Sequence, residues 1–169
     1  MRNILKEKNM QYIFWDEHFD VGYEPFNEQH KEIFRLQNRV VNLLCGDAGP
    51  EDLSTVLNHL IRYCQSHFKE EEDLMSRYGY SDLEPHCQEH ERLVTQIFTL
   101  NEQLCRENFN RDRLLTFLNT WITGHIMKID RKYRKFFLEK LPEHSTDDQI
   151  SDQAASENSS QSTPQEASR

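Results

Sequence analysis

Five histidines and two carboxylates stand at spacings that could gather them in one place: His30, His67 with Glu71, His86 with His90, and His125 with Asp130. Residues four apart on a helix lie about 40° apart around its axis, so His67 with Glu71, and His86 with His90, each aim two donors in one direction. Imidazole and carboxylate are ligands for iron, manganese or zinc, and this set is large enough for two metal ions that share bridging carboxylates. Charge favours that chemistry. Two divalent cations offset two carboxylates and a bridging hydroxide, leaving about one positive charge in an interior where unpaired polar groups would each cost several kcal/mol. A lone histidine on an apolar face is more often a hydrogen-bonded structural residue; the joint pattern is what points to metal.

Donors so spaced need helices to present them. Between Phe26 and Leu141 apolar residues return at three- and four-residue steps, with no strand-like alternation. Helices are expected over about 27–44, 51–78, 83–107 and 111–139, the first capped by Asn27 and stopped by Gly46, Gly49 and Pro50. The second helix carries the stripe Leu53, Leu57, Leu60, Cys64, His67, Glu71, Leu74, Tyr78, and the third His86, His90, Leu93, Ile97, Leu100, Leu104. Ligand-type residues thus occupy core positions. On the fourth, Leu114, Leu118, Trp121 and His125 are followed by Ile126, Asp130, Tyr133 and Phe137, a slip of one residue. His125 and Asp130 would differ by about 140° on a straight helix, so a π-bulge is expected near 126–129. Four such helices with short connections make an all-α, antiparallel up-down four-helix bundle. The arm over 1–25, with Phe14, Trp15, Phe19 and Tyr23, is too aromatic to be free and should pack along it.

The 169 residues divide accordingly into a bundle domain over 1–141 and a tail over 142–169. In the tail Ser, Gln, Asp and Glu dominate, Ile150 is the one large aliphatic residue, and disorder is expected. A net charge of -9 without a basic patch argues against nucleic acid. No apolar run approaches the ~18 residues of a membrane span, and the opening segment has no secretory pattern. A soluble, cytoplasmic protein is expected. Cys45, Cys64, Cys87 and Cys105 form no C-x-x-C pair and read as reduced, small core residues. Glu71 lies on the apolar stripe, whereas Glu70, Glu72 and Asp73 read as a solvated face. His18, His59 and His144 match no ligand spacing and are expected at the surface.

The ordered set His30, His67-x3-Glu71, His86-x3-His90, His125-x4-Asp130 resembles the complete ligand signature of the hemerythrin family. Trp15, Gly22, the stretch Asn27-Glu28-Gln29-His30-Lys31, Met75, Gly79-Tyr80 and Trp121-x3-His125-Ile126 are similar to the bacterial single-domain members. Asn27 departs from the commonest pattern, which has Asp there; either residue caps a helix. The resemblance implies a non-haem centre of two iron ions with an oxo or hydroxo bridge, binding O2 reversibly. It implies that His86, His90 and His125 hold one iron, that His30 and His67 hold a second with an open position, and that Glu71 and Asp130 bridge them. It also implies an apolar O2 pocket formed by Ile33, Phe68, Trp121, Ile122, Ile126 and Ile129. An O2 store, carrier or scavenger is therefore expected. Two alternatives stand beside it. One is a di-iron enzyme acting on O2, peroxide or nitric oxide, which would be expected to place an acid-base residue in that pocket. The other is a sensor of O2, iron or redox state, which would need the acidic tail to dock on a protein partner.

Overall fold

Proline and glycine mark where the first two helices begin and end. The computed structural model describes residues 12–104, 106 and 109–141. Helix α1 spans Glu24–Cys45, α2 Pro50–Tyr78, α3 Leu83–Glu102, α4 Arg111–Lys128 and α5 Arg134–Lys140. Pro25 and Pro50 sit in the first turns of α1 and α2, where an amide proton would have had no helical partner. At the end of α2, Gly79 takes a left-handed conformation (φ +72°) and the Tyr80 amide reaches back to the Met75 carbonyl at 2.9 Å. The Asn110 side chain caps α4 by accepting from the Arg113 amide at 2.9 Å.

Short turns make successive helices antiparallel, and cross-links fix the order. Asn101 near the end of α3 donates to Asn58 near the start of α2 (2.9 Å), and Arg111 at the start of α4 donates to the Leu44 carbonyl at the end of α1 (3.3 Å) and to the Ala48 carbonyl in the turn that follows (2.9 Å). The expected four-helix bundle is therefore the observed fold, with Leu57, Leu60, Leu93, Ile97, Leu114 and Leu118 filling the half away from the histidines. No strand is present among the described residues, and none of their helices is long and apolar enough to cross a membrane.

Several expectations are corrected. The fourth helix is not continuous and has no π-bulge: its ladder stops with the Ile129 amide on the His125 carbonyl (2.7 Å), Ile129 leaves helical geometry (φ -107°, ψ -60°), and a 3-10 turn Asp130–Lys132 leads into α5. A slip in the apolar stripe reports only that the register is reset. A broken helix resets it as well as a bulge does, and here it turns Asp130, Tyr133 and Phe137 inward together. Helix α3 ends at Glu102 rather than Glu107, because the Gln103 and Leu104 amides close tighter i to i-3 bonds on Leu100 and Asn101. Cys45 is exposed and Cys87 half-buried, so among the described cysteines only Cys64 is a core residue. His18 and His59 lie at the surface. The tail, His144, Cys105 and residues 1–11 of the arm lie outside the described residues.

Asn27 is not a cap either. Helix α1 starts three residues earlier, and Asn27 is buried within it, donating to Asp20 (2.8 Å) and Glu24 (3.1 Å) and accepting from the Val21 amide (3.0 Å). It ties the arm to the bundle. Nearby, Phe19 packs edge-on against Phe34 (4.9 Å), Lys31 lies over the Trp15 ring, and Arg134 donates to Asp20 (2.7 Å), although Phe14 stays exposed. Gly22 (φ +77°) passes so close to α5 that a Cβ there would meet the Arg134 Cγ at 2.9 Å. Asn27→Ala removes three hydrogen bonds of a buried amide and should lower stability by about 1–3 kcal/mol. That would be read as a lower urea midpoint with an unaltered slope.

Candidate metal centre

Each helix of the bundle brings one part of the cluster. Helix α1 carries His30, α2 carries His67 and Glu71, α3 carries His86 and His90, and α4 carries His125, while the break after Lys128 delivers Asp130. All seven side chains face one another, and none is more than 5% exposed. Their ligand atoms form two groups, each lying within 4.8 Å: His30, His67 and Glu71, and Glu71, His86, His90, His125 and Asp130.

Each carboxylate spans both groups. Glu71 sets one oxygen 3.5 Å from His67 Nε2 and 3.7 Å from His30 Nε2, and the other 3.4 Å from His86 Nε2 and 3.3 Å from His90 Nε2. Asp130 sets one oxygen 3.0 Å from His125 Nε2 and 3.8 Å from His86 Nε2, and the other 3.4 Å from His30 Nε2. Protein hydrogen bonds leave the centre of this set under-satisfied: Nε2 of His30 and of His67 are buried without one, and the Asp130 oxygens meet only imidazole nitrogens, at 3.0, 3.8 and 3.4 Å. The Nε2 atoms of His90 and His125 face each other at 3.1 Å. Inward lone pairs and carboxylates at such distances are matched by cations, so the donor set fits a pair of metal ions.

Electrostatics point the same way. Burial pushes the His67 imidazole down to about 3, far from the charged form. Burial opposes ionisation of Glu71 too, but the histidines around it outweigh that and hold it well below the usual carboxylate range. His125 is raised, because the Asp130 charge outweighs the burial that opposes protonation.

Outside the cluster, three contacts were not legible as functional in the sequence. His67 Nδ1 lies 2.7 Å from Gln29 Oε1, His90 Nδ1 lies 2.7 Å from Glu72 Oε1, and the buried Tyr133 hydroxyl donates to Glu71. Glu72 is therefore not merely part of a solvated face. Tyr133 did stand on the apolar stripe, three residues after Asp130, but nothing local told a hydroxyl anchor from a core ring.

Against the cluster lies a cavity of about 10 Å³, lined by Ile33, Phe68, Trp121, Ile122 and Ile126 together with His30, His67, His125 and Asp130. Such a volume admits little more than one water-sized molecule. Ile129 is placed elsewhere: half-buried, it lines an open groove between α3 and α4 with Arg92 and Phe117.

A four-helix bundle with buried histidine and carboxylate donors from every helix defines a dinuclear-type metal-binding class. Residues 21–137 match the hemerythrin HHE cation binding domain, and the chain belongs to the hemerythrin family. It is similar to a bacteriohemerythrin of Clostridium acetobutylicum, 26% identical over 126 residues that cover 70% of this chain and 96% of the relative. It is also similar to a hemerythrin-like protein of Naegleria gruberi, 32% identical over 120 residues covering 71% and 89%. A crystal structure of wild-type hemerythrin superposes with a TM-score of 0.69 at 27% identity, over 76% of this chain and 99% of that one.

Tyr133→Phe keeps the ring's shape but leaves one Glu71 oxygen without its donor. The metal-free chain should lose about 1.5–3 kcal/mol, the range for a hydrogen bond to a charged group, measured by chemical denaturation.

Proposed function

We propose that this protein binds O2 reversibly at a non-haem di-iron centre, serving as a store, carrier or scavenger. The observation that carries the reading is the pair of carboxylates that each reach both histidine groups beside a small apolar cavity. Two iron ions with an oxo or hydroxo bridge would supply the redox chemistry of O2 uptake. In this reading His86, His90 and His125 would hold one iron and His30 and His67 the other, with Glu71 and Asp130 placed to serve both. The Tyr133 hydroxyl keeps one Glu71 oxygen in place, while Phe68, stacked on His90 at 3.8 Å, holds that ring's plane. Ile33, Phe68, Trp121, Ile122 and Ile126 keep water from the cavity.

Hemerythrins are oxygen-binding proteins rather than enzymes, and the cavity supports binding over turnover. Its size matches a very small ligand, and its lining beyond the proposed ligands is apolar except for the Trp121 indole, with no acid-base residue for turnover. Free thiols at Cys45, Cys64 and Cys87 favour a reducing, cytoplasmic setting. The reading extends to a domain over residues 1–141 and to the acidic tail over 142–169 as a segment able to meet a protein partner.

The chain loaded anaerobically with ferrous iron should gain a visible absorption band in air and lose it when O2 is removed, through repeated cycles. Irreversible oxidation with release of peroxide would instead favour an oxidase or a sensor. Phe68→Ala and Ile126→Ser open the cavity to water and should speed loss of the O2-responsive band on standing in air; unchanged rates would deny those side chains their shielding role.

A further inference from the structure

The run Glu70-Glu71-Glu72 sends its three carboxylates in three directions, as residues 100° apart on a helix must. Glu71 turns into the cluster. Glu70 turns toward α1, where its Oε2 accepts from Gln29 Nε2 at 2.6 Å. Glu72 turns toward α3, where its Oε1 lies 2.7 Å from His90 Nδ1.

These contacts fix two tautomers. A carboxylate can only accept, so Glu70 obliges the Gln29 amide to present its nitrogen outward and its oxygen to His67. That oxygen also only accepts, so His67 Nδ1 carries the proton and Nε2 offers its lone pair to the cluster. Glu72 imposes the same tautomer on His90 directly. The two relays differ in charge at the ring: a neutral amide faces His67, and a carboxylate faces His90. A charged acceptor draws more strongly on the imidazole proton, which makes the opposite nitrogen a stronger donor.

We propose that Glu72 and the Gln29–Glu70 pair are positioning residues that orient His90 and His67 and set the two metal positions apart, Glu72 strengthening the one that His90 serves. The inference rests on the reading that His67 and His90 ligate different irons.

The test is an anaerobic calorimetric titration of the full-length chain with ferrous iron. Wild type should take two equivalents. Glu72→Gln, which keeps an acceptor but removes the charge, should weaken one equivalent by about 10–100-fold and leave the other unaltered, and Gln29→Leu should weaken only the other. In the zinc-loaded chain the His90 Nδ1 proton should give a far-downfield signal by NMR, moved upfield in Glu72→Gln and lost in Glu72→Ala. A merely structural role would not move that signal. Two equivalents with both variants unaltered, or with both weakening the same equivalent, overturn the assignment but leave the di-iron reading standing. A wild-type chain that takes up no iron overturns both.

Discussion

Seven titratable side chains meet on the axis of a narrow helical bundle, and their mutual charge has to be matched there, because water cannot reach them. Glu71 and Asp130 are fully buried, five imidazoles surround them, and several of the donor atoms have no hydrogen-bond partner within the protein. Left as they stand, such groups would each cost on the order of 1–3 kcal/mol or more, a large share of the stability of a domain this size. Cations between the inward lone pairs would turn the same groups into cross-links among all four helices. The metal would then be part of what holds the bundle together, and metal binding and folding would be linked.

The rest of the fold reads as the means of delivering those donors. Regular α-helix suffices for the i, i+4 pairs on α2 and α3. It does not suffice for His125 and Asp130, and the chain gives up helical continuity at Ile129 to place the second carboxylate. The aromatic arm closes over this weakened end: Arg134 on α5 is tied to Asp20, Arg131 donates to the His18 carbonyl at 3.1 Å, and Asn27 joins the arm to α1. At the opposite end, ordinary leucine and isoleucine packing carries the bundle. Function and conventional core are thus separated along one axis.

How much of this could be read from the sequence follows from what each feature depends on. The positions of His67, Glu71, His86, His90 and His125 are set by helical period alone, so the stripes located them, whereas His30 joined the set only through its residue type and place on the first helix. The slip at His125 located Asp130 but not the backbone that serves it, since a bulge and a break leave the same trace in an apolar pattern. Asn27 was misread because its partners, Asp20 and Val21, come from a segment whose path over the bundle is a tertiary fact. Gln29 and Glu72 stand off the stripe on faces that look solvated, and only the neighbouring helix shows what they touch. Ile129 sits beside the ligands in sequence, yet the break that frees Asp130 turns it toward the outer groove.

If a dinuclear cation site shared by Glu71 and Asp130 resolves the buried charge, bound iron must stabilise the fold. The most direct measurement is thermal unfolding of the chelator-treated chain as ferrous iron is added anaerobically, with bound iron assayed at each step. The melting temperature should rise until two irons are bound per chain and then level, and Asp130→Asn should lose most of the rise. A plateau at one iron, or a melting temperature indifferent to iron, would contradict the shared dinuclear site.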